Sequence, residues 1–210
     1  MNSIPRLYAI VDVDLCARAG RMPMDVARAL LAGGARWLQL RAKGWESGPM
    51  LELAAAIQSE VERTGGALIV NDRADVAVLA RADGVHVGQD DLAPADARRL
   101  VGASAIVGIS THTPAQMEAA VQEEVSYLAI GPVFGTGTKV TGYEAVGLEA
   151  VRAAVAAAQP RGLPVVAIGG ITLDRARSVI DSGAASVAVI SDLLVGDPES
   201  RARAFMQALE

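Results

Sequence analysis

The sequence predicts an α/β protein in which a single domain, residues 1–210, forms a (β/α)8 TIM barrel. Eight short runs of aliphatic and β-branched residues alternate with segments of helical spacing, so that a helix follows every strand. This alternation requires parallel strands, and eight repeats favour a closed sheet. The apolar share of 51% agrees with many buried parallel strands. A doubly wound open sheet is the competing arrangement.

The individual elements follow from the apolar runs and from the residues that bound them. Prolines open several helices, and glycine pairs such as Gly33-Gly34 and Gly65-Gly66 follow others, as expected at helix ends. The predicted strands are Leu7–Asp12, Trp37–Arg41, Ala67–Asp72, Val85–Gly88, Ile106–Ser110, Tyr127–Pro132, Val165–Gly169 and Val187–Ser191. The predicted helices are Pro23–Ala32, Pro49–Arg63, Ala74–Ala80, Pro94–Leu100, Pro114–Glu124, Leu148–Ala158, Asp174–Asp181 and Glu199–Leu209.

Composition and charge exclude several classes of function. A formal net charge of −5 and an aromatic share of 3% argue against a surface that binds nucleic acid. No apolar run approaches the roughly 18 residues of a membrane span, and the N-terminal sequence leads directly into a strand pattern. The single cysteine, Cys16, rules out an intrachain disulfide and a multi-cysteine zinc site. We expect a soluble cytoplasmic protein whose partners are small molecules.

Two acidic side chains follow neighbouring strands of the predicted barrel. Asp72 comes directly after the third strand, and Asp90 and Asp91 follow the fourth. Because ligands of such barrels bind at the carboxyl ends of the strands, Asp72 and Asp91 are expected to lie together there. They could hold a divalent cation that keeps mostly water ligands. The alternative is that these aspartates only cap the helices or turns that follow them.

Cationic side chains converge on the same face of the predicted barrel. Arg41 and Lys43 follow the second strand, and Lys139 closes a Gly-Thr-Gly-Thr-Lys loop after the sixth. An arginine fork and two lysines, together with Mg²⁺ on Asp72 and Asp91, would neutralise about three to four negative charges. A diphosphate carries this amount of charge, so the pattern indicates a diphosphate site.

A simpler phosphate site is indicated where the seventh and eighth strands end. Gly169-Gly170 allows a close backbone approach, and Ser191 supplies a hydroxyl at the corner where barrels often bind a monophosphate. One diphosphate and one monophosphate imply group transfer. His86 lies within an apolar strand, where it either packs in the barrel interior or lines the pocket floor, and His112 lies in a loop before a helix.

A series of motifs resembles the thiamine-phosphate synthase family in order and spacing, from about Leu7 to Leu194. The motifs are QLRAK (39–43), NDRADVA (71–77), DGVHVGQDDL (83–92), VGIST (107–111), GPVFGTGTK (131–139), VGLEAV (146–151), VVAIGGI (165–171) and VAVIS (187–191). The resemblance implies a magnesium-dependent transferase. Its reaction joins 4-amino-2-methyl-5-(diphosphooxymethyl)pyrimidine to 4-methyl-5-(2-phosphooxyethyl)thiazole and yields thiamine phosphate and diphosphate.

The resemblance also implies roles for individual residues. It places the pyrimidine diphosphate on Gln39, Arg41, Lys43, Asn71, Ser110 and Lys139, with His86 in the pyrimidine pocket. It places magnesium on Asp72 and Asp91, and the thiazole phosphate on Thr136, Thr138, Gly170, Ile190 and Ser191. Leu40, Ala42 and Gly137 belong to the same substrate-binding segments. Arg41, Lys43, Ser110 and Lys139 are the expected catalytic residues, and Ala42 stands where the family usually has Glu.

Two other functions compete with this interpretation. A related thiazole tautomerase uses the same barrel and relies on a histidine after the fifth strand, a place that His112 occupies. A non-catalytic barrel that binds a phosphorylated ligand would keep Gly170 and Ser191. Neither alternative needs the complete set of Asp72, Asp91 and Lys139, so this set favours the synthase.

Overall fold

The computed structural model describes residues 4–135 and 142–210, and these residues form a closed barrel of eight parallel strands in chain order. The strands are β1 (Leu7–Asp12), β2 (Trp37–Arg41), β3 (Ala67–Asn71), β4 (Gly84–Val87), β5 (Ile106–Thr111), β6 (Tyr127–Ile130), β7 (Val165–Ile168) and β8 (Ser186–Val189). The helices are α1 (Val13–Arg18), α2 (Pro23–Ala32), α3 (Ser47–Thr64), α4 (Ala74–Leu79), α5 (Pro94–Val101), α6 (Pro114–Val121), α7 (Gly147–Ala158), α8 (Leu173–Asp181) and α9 (Pro198–Leu209). The predicted fold class is confirmed.

One helix was not predicted. Helix α1 begins directly after β1, where the Asp12 carboxylate accepts a hydrogen bond from the Leu15 backbone N–H at 2.9 Å and so caps the helix. The helix follows β1 without an intervening turn, so its apolar residues look like a continuation of the strand pattern. Because α1 begins at the carboxyl end of β1, Asp12 and α1 lie at the end of the barrel where ligands are expected.

Alternation along the strands separates the barrel interior from the layer under the helices. In β2, Leu38 and Leu40 are completely buried in the core between strands and helices, whereas Trp37 packs with the interior cluster. The buried residues of that interior cluster are Tyr8, Ile10, Ala67, Ile69, Tyr127, Ala129, Val166 and Ala188. This period of two therefore decides which side chains of each strand can reach a ligand.

Several strands end earlier than predicted. β3 ends at Asn71 and β8 at Val189, so Asp72 and Ser191 lie beyond the strands, and Ser191 begins a short 3-10 turn that runs to Leu194. The reason at Asp72 is its positive φ of 63°, which turns the chain out of the ladder. Among the described residues, no helix is both long and apolar enough to cross a membrane.

Candidate active site

The two predicted metal ligands lie side by side at the carboxyl ends of β3 and β4. The pKa of Asp72 is raised above its usual value, mainly because the carboxyl is partly buried. The hydrogen bond to Asp91 and the negative charge of Asp91 raise the pKa further, whereas the positive charge of Lys43 lowers it. The Lys43 Nζ atom is 3.4 Å from Asp72 Oδ2. The structure thus brings together the carboxyl pair that joint chelation of one cation requires.

The local backbone orients the carboxylates of Asp72 and Asp91. The left-handed conformation of Asp72 is uncommon for a residue other than glycine, and such conformations cluster at functional sites. Asp91 Oδ2 accepts a hydrogen bond from the Gly88 backbone N–H at 2.8 Å. A Cβ atom on Gly88 would lie 2.9 Å from the same oxygen, so only glycine leaves this carboxylate in place without a shift.

The alternative of simple helix caps is wrong. The residue that precedes α4 is Arg73, and the residue that precedes α5 is Ala93; neither helix start receives a side-chain cap. Asp91 instead binds Gly88 within its own loop. Neither aspartate is therefore used by a helix start, although Asp91 does cap its own turn, and both line the cleft.

The predicted diphosphate cations lie beside this pair and differ in their freedom. Arg41 Nη1 donates to Asp12 Oδ2 at 2.6 Å, and both side chains are largely buried. This pairing holds the guanidinium in one orientation at the end of β2. The Lys43 side chain is 63% exposed and can move toward a ligand. Sequence reasoning missed Asp12, because nothing local to β1 indicates a partner on β2.

These groups surround a cleft of about 480 Å³. Among the described residues its wall holds three cationic side chains, Arg18, Arg41 and Lys43, and five acidic ones, Asp12, Asp14, Asp72, Asp90 and Asp91. It also includes Asn71, His86, Gly88, Gln89, Ser110, His112 and Tyr143. The excess of two acidic groups would repel a diphosphate and attract a divalent cation. α1 supplies Asp14 and Arg18, which sequence reasoning also missed.

A cavity of about 920 Å³ opens at the opposite end of the barrel, where the strands begin. Its wall includes Arg6, Arg36, Trp37 and Pro164. The Arg36 guanidinium already donates to the Leu31 and Ala35 backbone carbonyls. The smaller cleft is nevertheless the candidate active site, because Asp72 and Asp91 lie there together with Arg41 and Lys43.

His86 lines the inner wall of the cleft and is nearly buried. Its Nε2 atom is 2.8 Å from the Ser110 Oγ atom, and its Nδ1 atom is 2.8 Å from the Tyr127 hydroxyl oxygen. Both interpretations made from the sequence hold in part, since the histidine belongs to the barrel interior and also faces the pocket. Gln39, expected to bind the pyrimidine, is buried as well and donates to Tyr8.

The expected thiazole phosphate residues that the structure describes, Gly170, Ile190 and Ser191, lie just after the ends of β7 and β8. Gly170 has a φ of 63°, and a Cβ atom there would lie 2.7 Å from the Gly135 carbonyl oxygen. The glycine therefore makes room for the start of the β6 to α7 loop. Arg175 donates to the Gly170 carbonyl oxygen at 3.3 Å and brings an unpredicted cation to this corner.

Asp192 connects the two elements that carry this corner. Asp192 Oδ2 accepts hydrogen bonds from the Leu173 backbone N–H at 3.0 Å and from Arg201 Nη2 at 2.6 Å. The carboxylate thus ties the turn that begins at Ser191, beside Ile190, to the start of α8 and to α9.

Not every predicted site residue has its side chain in the cleft. Leu40 and Ala42 are buried in the core under the helices, so only their backbone could reach a ligand. Thr136, Gly137, Thr138 and Lys139 lie outside the described residues.

His112 lies in the wall of the cleft. Its ring stacks on Tyr143 with ring centres 4.2 Å apart, and its Nδ1 atom is 2.6 Å from the Gly131 carbonyl oxygen.

Comparisons with known proteins agree on one family. A family model described as thiamine monophosphate synthase matches residues 7–193. A curated thiamine-phosphate synthase from Koribacter versatilis is 47% identical over 98% of this chain and 96% of its own length. One from Thermus thermophilus is 43% identical over 97% of both chains. The solved thiamine phosphate pyrophosphorylase from Pyrococcus furiosus has a TM-score of 0.86 at 30% identity, covering 97% of this chain and 95% of that one.

Proposed function

The chain belongs to the thiamine-phosphate synthase family, and from this membership we propose how its residues share the tasks of the reaction. The enzyme is a transferase of thiamine biosynthesis. It moves the 4-amino-2-methylpyrimidin-5-ylmethyl group from its diphosphate to 4-methyl-5-(2-phosphooxyethyl)thiazole, which yields thiamine phosphate and diphosphate. The activity expected from the sequence motifs is confirmed.

We propose that Asp72 and Asp91 hold one Mg²⁺ ion. The observation that carries this proposal is the adjacent carboxyl pair, because two neighbouring carboxylates are unfavourable without a cation between them. Mg²⁺ commonly binds through one or two carboxylates and completes its shell with water and substrate phosphates. When bound, the ion supplies positive charge to the leaving diphosphate. No third acidic or histidine ligand lies close enough among the described residues, which agrees with such a shell.

The diphosphate is proposed to bind across Arg41, Lys43, Ser110 and Lys139, with Asn71 beside it. Asp12 holds Arg41 in place before the substrate arrives, so this cation needs little reorganisation during the reaction. The Lys139 role rests on the resemblance of its motif to the family.

The reaction itself explains why no strong general base is needed. The thiazole nitrogen attacks with a lone pair and has no proton to lose, and the aminopyrimidine can stabilise a methylene cation as diphosphate leaves. Stabilising the leaving group is then the main task, and fixed positive charges perform it most effectively where water is excluded. Arg41, which is largely buried and held by Asp12, suits this task, and Lys43 adds a mobile positive charge beside it.

The thiazole phosphate is proposed to bind at Gly170, Ile190 and Ser191, together with Thr136 and Thr138 of the glycine-rich loop. Arg175, beside the Gly170 carbonyl, adds a favourable charge at this corner. The described start of the loop, Phe134 and Gly135, packs on Gly170 at the thiazole corner.

Thiamine phosphate formation at increasing Mg²⁺ concentration tests the metal proposal. We expect no turnover after chelation, and we expect Asp72→Asn and Asp91→Asn to need at least about tenfold more Mg²⁺, since each removes one of two protein ligands. Asp90→Asn is the matched control, because it removes the same charge from the same cleft but not from the pair. Equal Mg²⁺ dependence of Asp90→Asn and Asp91→Asn would contradict the assignment.

Lys139→Ala tests the electrostatic mechanism. Losing one contact to the developing charge costs on the order of 3 kcal/mol of barrier, so we expect turnover to fall more than a hundredfold. The thermal unfolding midpoint should stay close to the wild-type value. Near-normal turnover in this variant would count against the mechanism.

A cytoplasmic location is also proposed. Burial, followed by the Asp12 charge, raises the pKa of the Cys16 thiol to about 11, which keeps it protonated and unreactive. A single buried thiol is ordinary for a reducing compartment. Cell fractionation tests the location directly.

A further inference from the structure

Five polar side chains form a continuous chain of hydrogen bonds through the barrel interior. Gln39 Nε2 donates to the Tyr8 hydroxyl oxygen at 2.8 Å, and the Tyr8 and Tyr127 hydroxyls are 3.0 Å apart. The Tyr127 hydroxyl is 2.8 Å from His86 Nδ1, and His86 Nε2 is 2.8 Å from Ser110 Oγ. The chain therefore runs from the interior of the barrel to the wall of the cleft.

A glycine on the intervening strand allows Tyr127 to reach His86. His86 on β4 lies in register with Gly108 on β5, and Gly108 lies in register with Tyr127 on β6. A Cβ atom on Gly108 would collide with the Tyr127 ring, so the ring crosses β5 only because this side chain is missing. The ring then stacks on the imidazole, with centres 5.5 Å apart and planes 18° apart.

The position of each proton in this series of hydrogen bonds can be assigned by counting donors. The Gln39 amide nitrogen only donates, so the Tyr8 oxygen accepts there and its own proton is left for Tyr127. Tyr127 then has its proton for His86 Nδ1. In the opposite direction, Tyr127 would donate to Tyr8, and the Tyr8 oxygen would accept from both Tyr127 and Gln39. The Tyr8 proton would then have no acceptor among the described residues, which is costly for a fully buried hydroxyl.

The raised pKa values of the two phenols mean that both hydroxyl protons are present to be assigned. Both side chains are completely buried, and burial raises the pKa of Tyr8 and of Tyr127 well above the usual value. Each hydroxyl therefore keeps its proton at neutral pH and can serve as a donor.

We propose that Tyr127 is a positioning residue that holds His86 in the tautomer with the proton on Nε2. The imidazole then donates to Ser110 Oγ, and the Ser110 proton is left to point into the cleft, where it donates to the diphosphate oxygens. This last role rests on the proposed function of Ser110. The hydroxyl thus enters the reaction already aligned as a donor, which is the arrangement that favours charge developing on the leaving group.

The tautomer of His86 can be measured directly, because the protein contains only two histidines. Two-bond proton–nitrogen NMR spectra of the full chain, labelled at histidine nitrogens and free of substrate, distinguish a protonated from an unprotonated ring nitrogen. His112→Asn removes one of the two signal sets and assigns the other to His86. We expect the Nε2–H tautomer in the wild type and loss of this preference in Tyr127→Phe. A proton on Nδ1 in the wild type, or unchanged spectra in Tyr127→Phe, would overturn the inference.

Tyr8→Phe is the matched control. It removes one hydroxyl from the same buried layer, but Tyr127 keeps its proton for His86, so we expect the Nε2–H tautomer to persist. If the hydrogen bonds ran in the opposite direction, Tyr8→Phe would free the Tyr127 proton and switch the tautomer. A switch in this variant would therefore contradict the proposed direction.

Kinetics connect the tautomer to the reaction. In Tyr127→Phe we expect kcat to fall about tenfold, the equivalent of one hydrogen bond, while KM for the thiazole phosphate and the Mg²⁺ dependence stay unchanged. Altered tautomers with normal kcat would contradict this inference alone. Normal turnover in Ser110→Ala would instead contradict the proposed function of Ser110, and the spectra would still report the direction of the hydrogen bonds.

Discussion

Asp72 and Gly88 show how single backbone positions set up the acid pair. Asp72 takes a left-handed conformation that brings its carboxyl beside Asp91, and Gly88 both donates to the Asp91 carboxylate and leaves space for it. The sequence predicts that the two aspartates share one end of the barrel. The direction in which the two carboxylates point depends on the backbone conformation of Asp72 and on the space at Gly88, which the residue types alone do not specify.

Gly88→Ala tests the dependence of the metal site on that space. The added Cβ would lie 2.9 Å from Asp91 Oδ2, and the movable carboxylate would shift rather than the backbone. We expect folding stability within about 1 kcal/mol of the wild type, and we expect about tenfold more Mg²⁺ for half-maximal turnover. Thermal unfolding and Mg²⁺ titration measure the two effects.

Gly48→Ala is the control for that experiment. A Cβ atom on Gly48, near the start of α3, would have no neighbour within 4 Å, so neither stability nor Mg²⁺ dependence should worsen. A Gly88→Ala enzyme with wild-type Mg²⁺ dependence would show that the Asp91 position is not critical for the metal.

Carboxylates that join neighbouring elements shape both phosphate sites. Asp12 connects β1 to α1 through its cap and to β2 through Arg41. Asp192 connects the end of β8 to the start of α8 and to Arg201 of α9. Each side chain acts between elements, so local propensity predicted the helices and strands but not these ties between them.

Asp192→Ala should weaken the thiazole corner. The substitution leaves the Leu173 N–H without its acceptor, and the partly buried Arg201 keeps the Asp192 backbone carbonyl oxygen but loses the carboxylate. We expect these losses to cost about 2 to 3 kcal/mol of stability. The KM for the thiazole phosphate should rise several-fold, because Asp192 ties the segment after β8, which holds Ile190 and Ser191, to the start of α8. The KM for the pyrimidine diphosphate should change little.

The comparison for Asp192→Ala is Asp181→Ala in the same helical layer. Asp181 pairs with Arg177 on the surface, and both side chains are more than half exposed, so its loss should have little effect on stability or on either KM. Chemical denaturation and steady-state kinetics distinguish the two variants. Equal effects would mean that Asp192 has no special role in this corner.

Closure of the whole molecule depends on contacts between its first and last parts. β1 pairs with β8 as well as with β2, and α9 packs against α2 and α8. The end of α2 approaches α9 at Gly33, where a Cβ atom would lie 2.7 Å from the Ala202 Cβ and would also meet the α9 backbone. The barrel is thus completed by residues far apart in the chain.

Gly33→Ala should destabilise the barrel without touching the site. The obstructing atoms belong to the α9 backbone and cannot simply rotate away, so we expect a loss of about 1 to 3 kcal/mol in the free energy of unfolding. At temperatures where the variant remains folded, kcat and Mg²⁺ dependence should equal those of the wild type. Urea denaturation checks the first expectation, and unchanged stability would contradict it.

The sequence by itself determined the order of the elements apart from α1, the closed parallel barrel and the end of the barrel at which Asp72, Asp91, Arg41 and Lys43 lie. Apolar periodicity and position after a strand are properties of short segments, so they can be read without coordinates. The tertiary structure alone decided that Asp12 pairs with Arg41 and that Tyr127 meets Tyr8 across 119 positions of the chain. The physical reason is that such contacts depend on side-chain direction and on strand register around the closed ring, which no single segment contains.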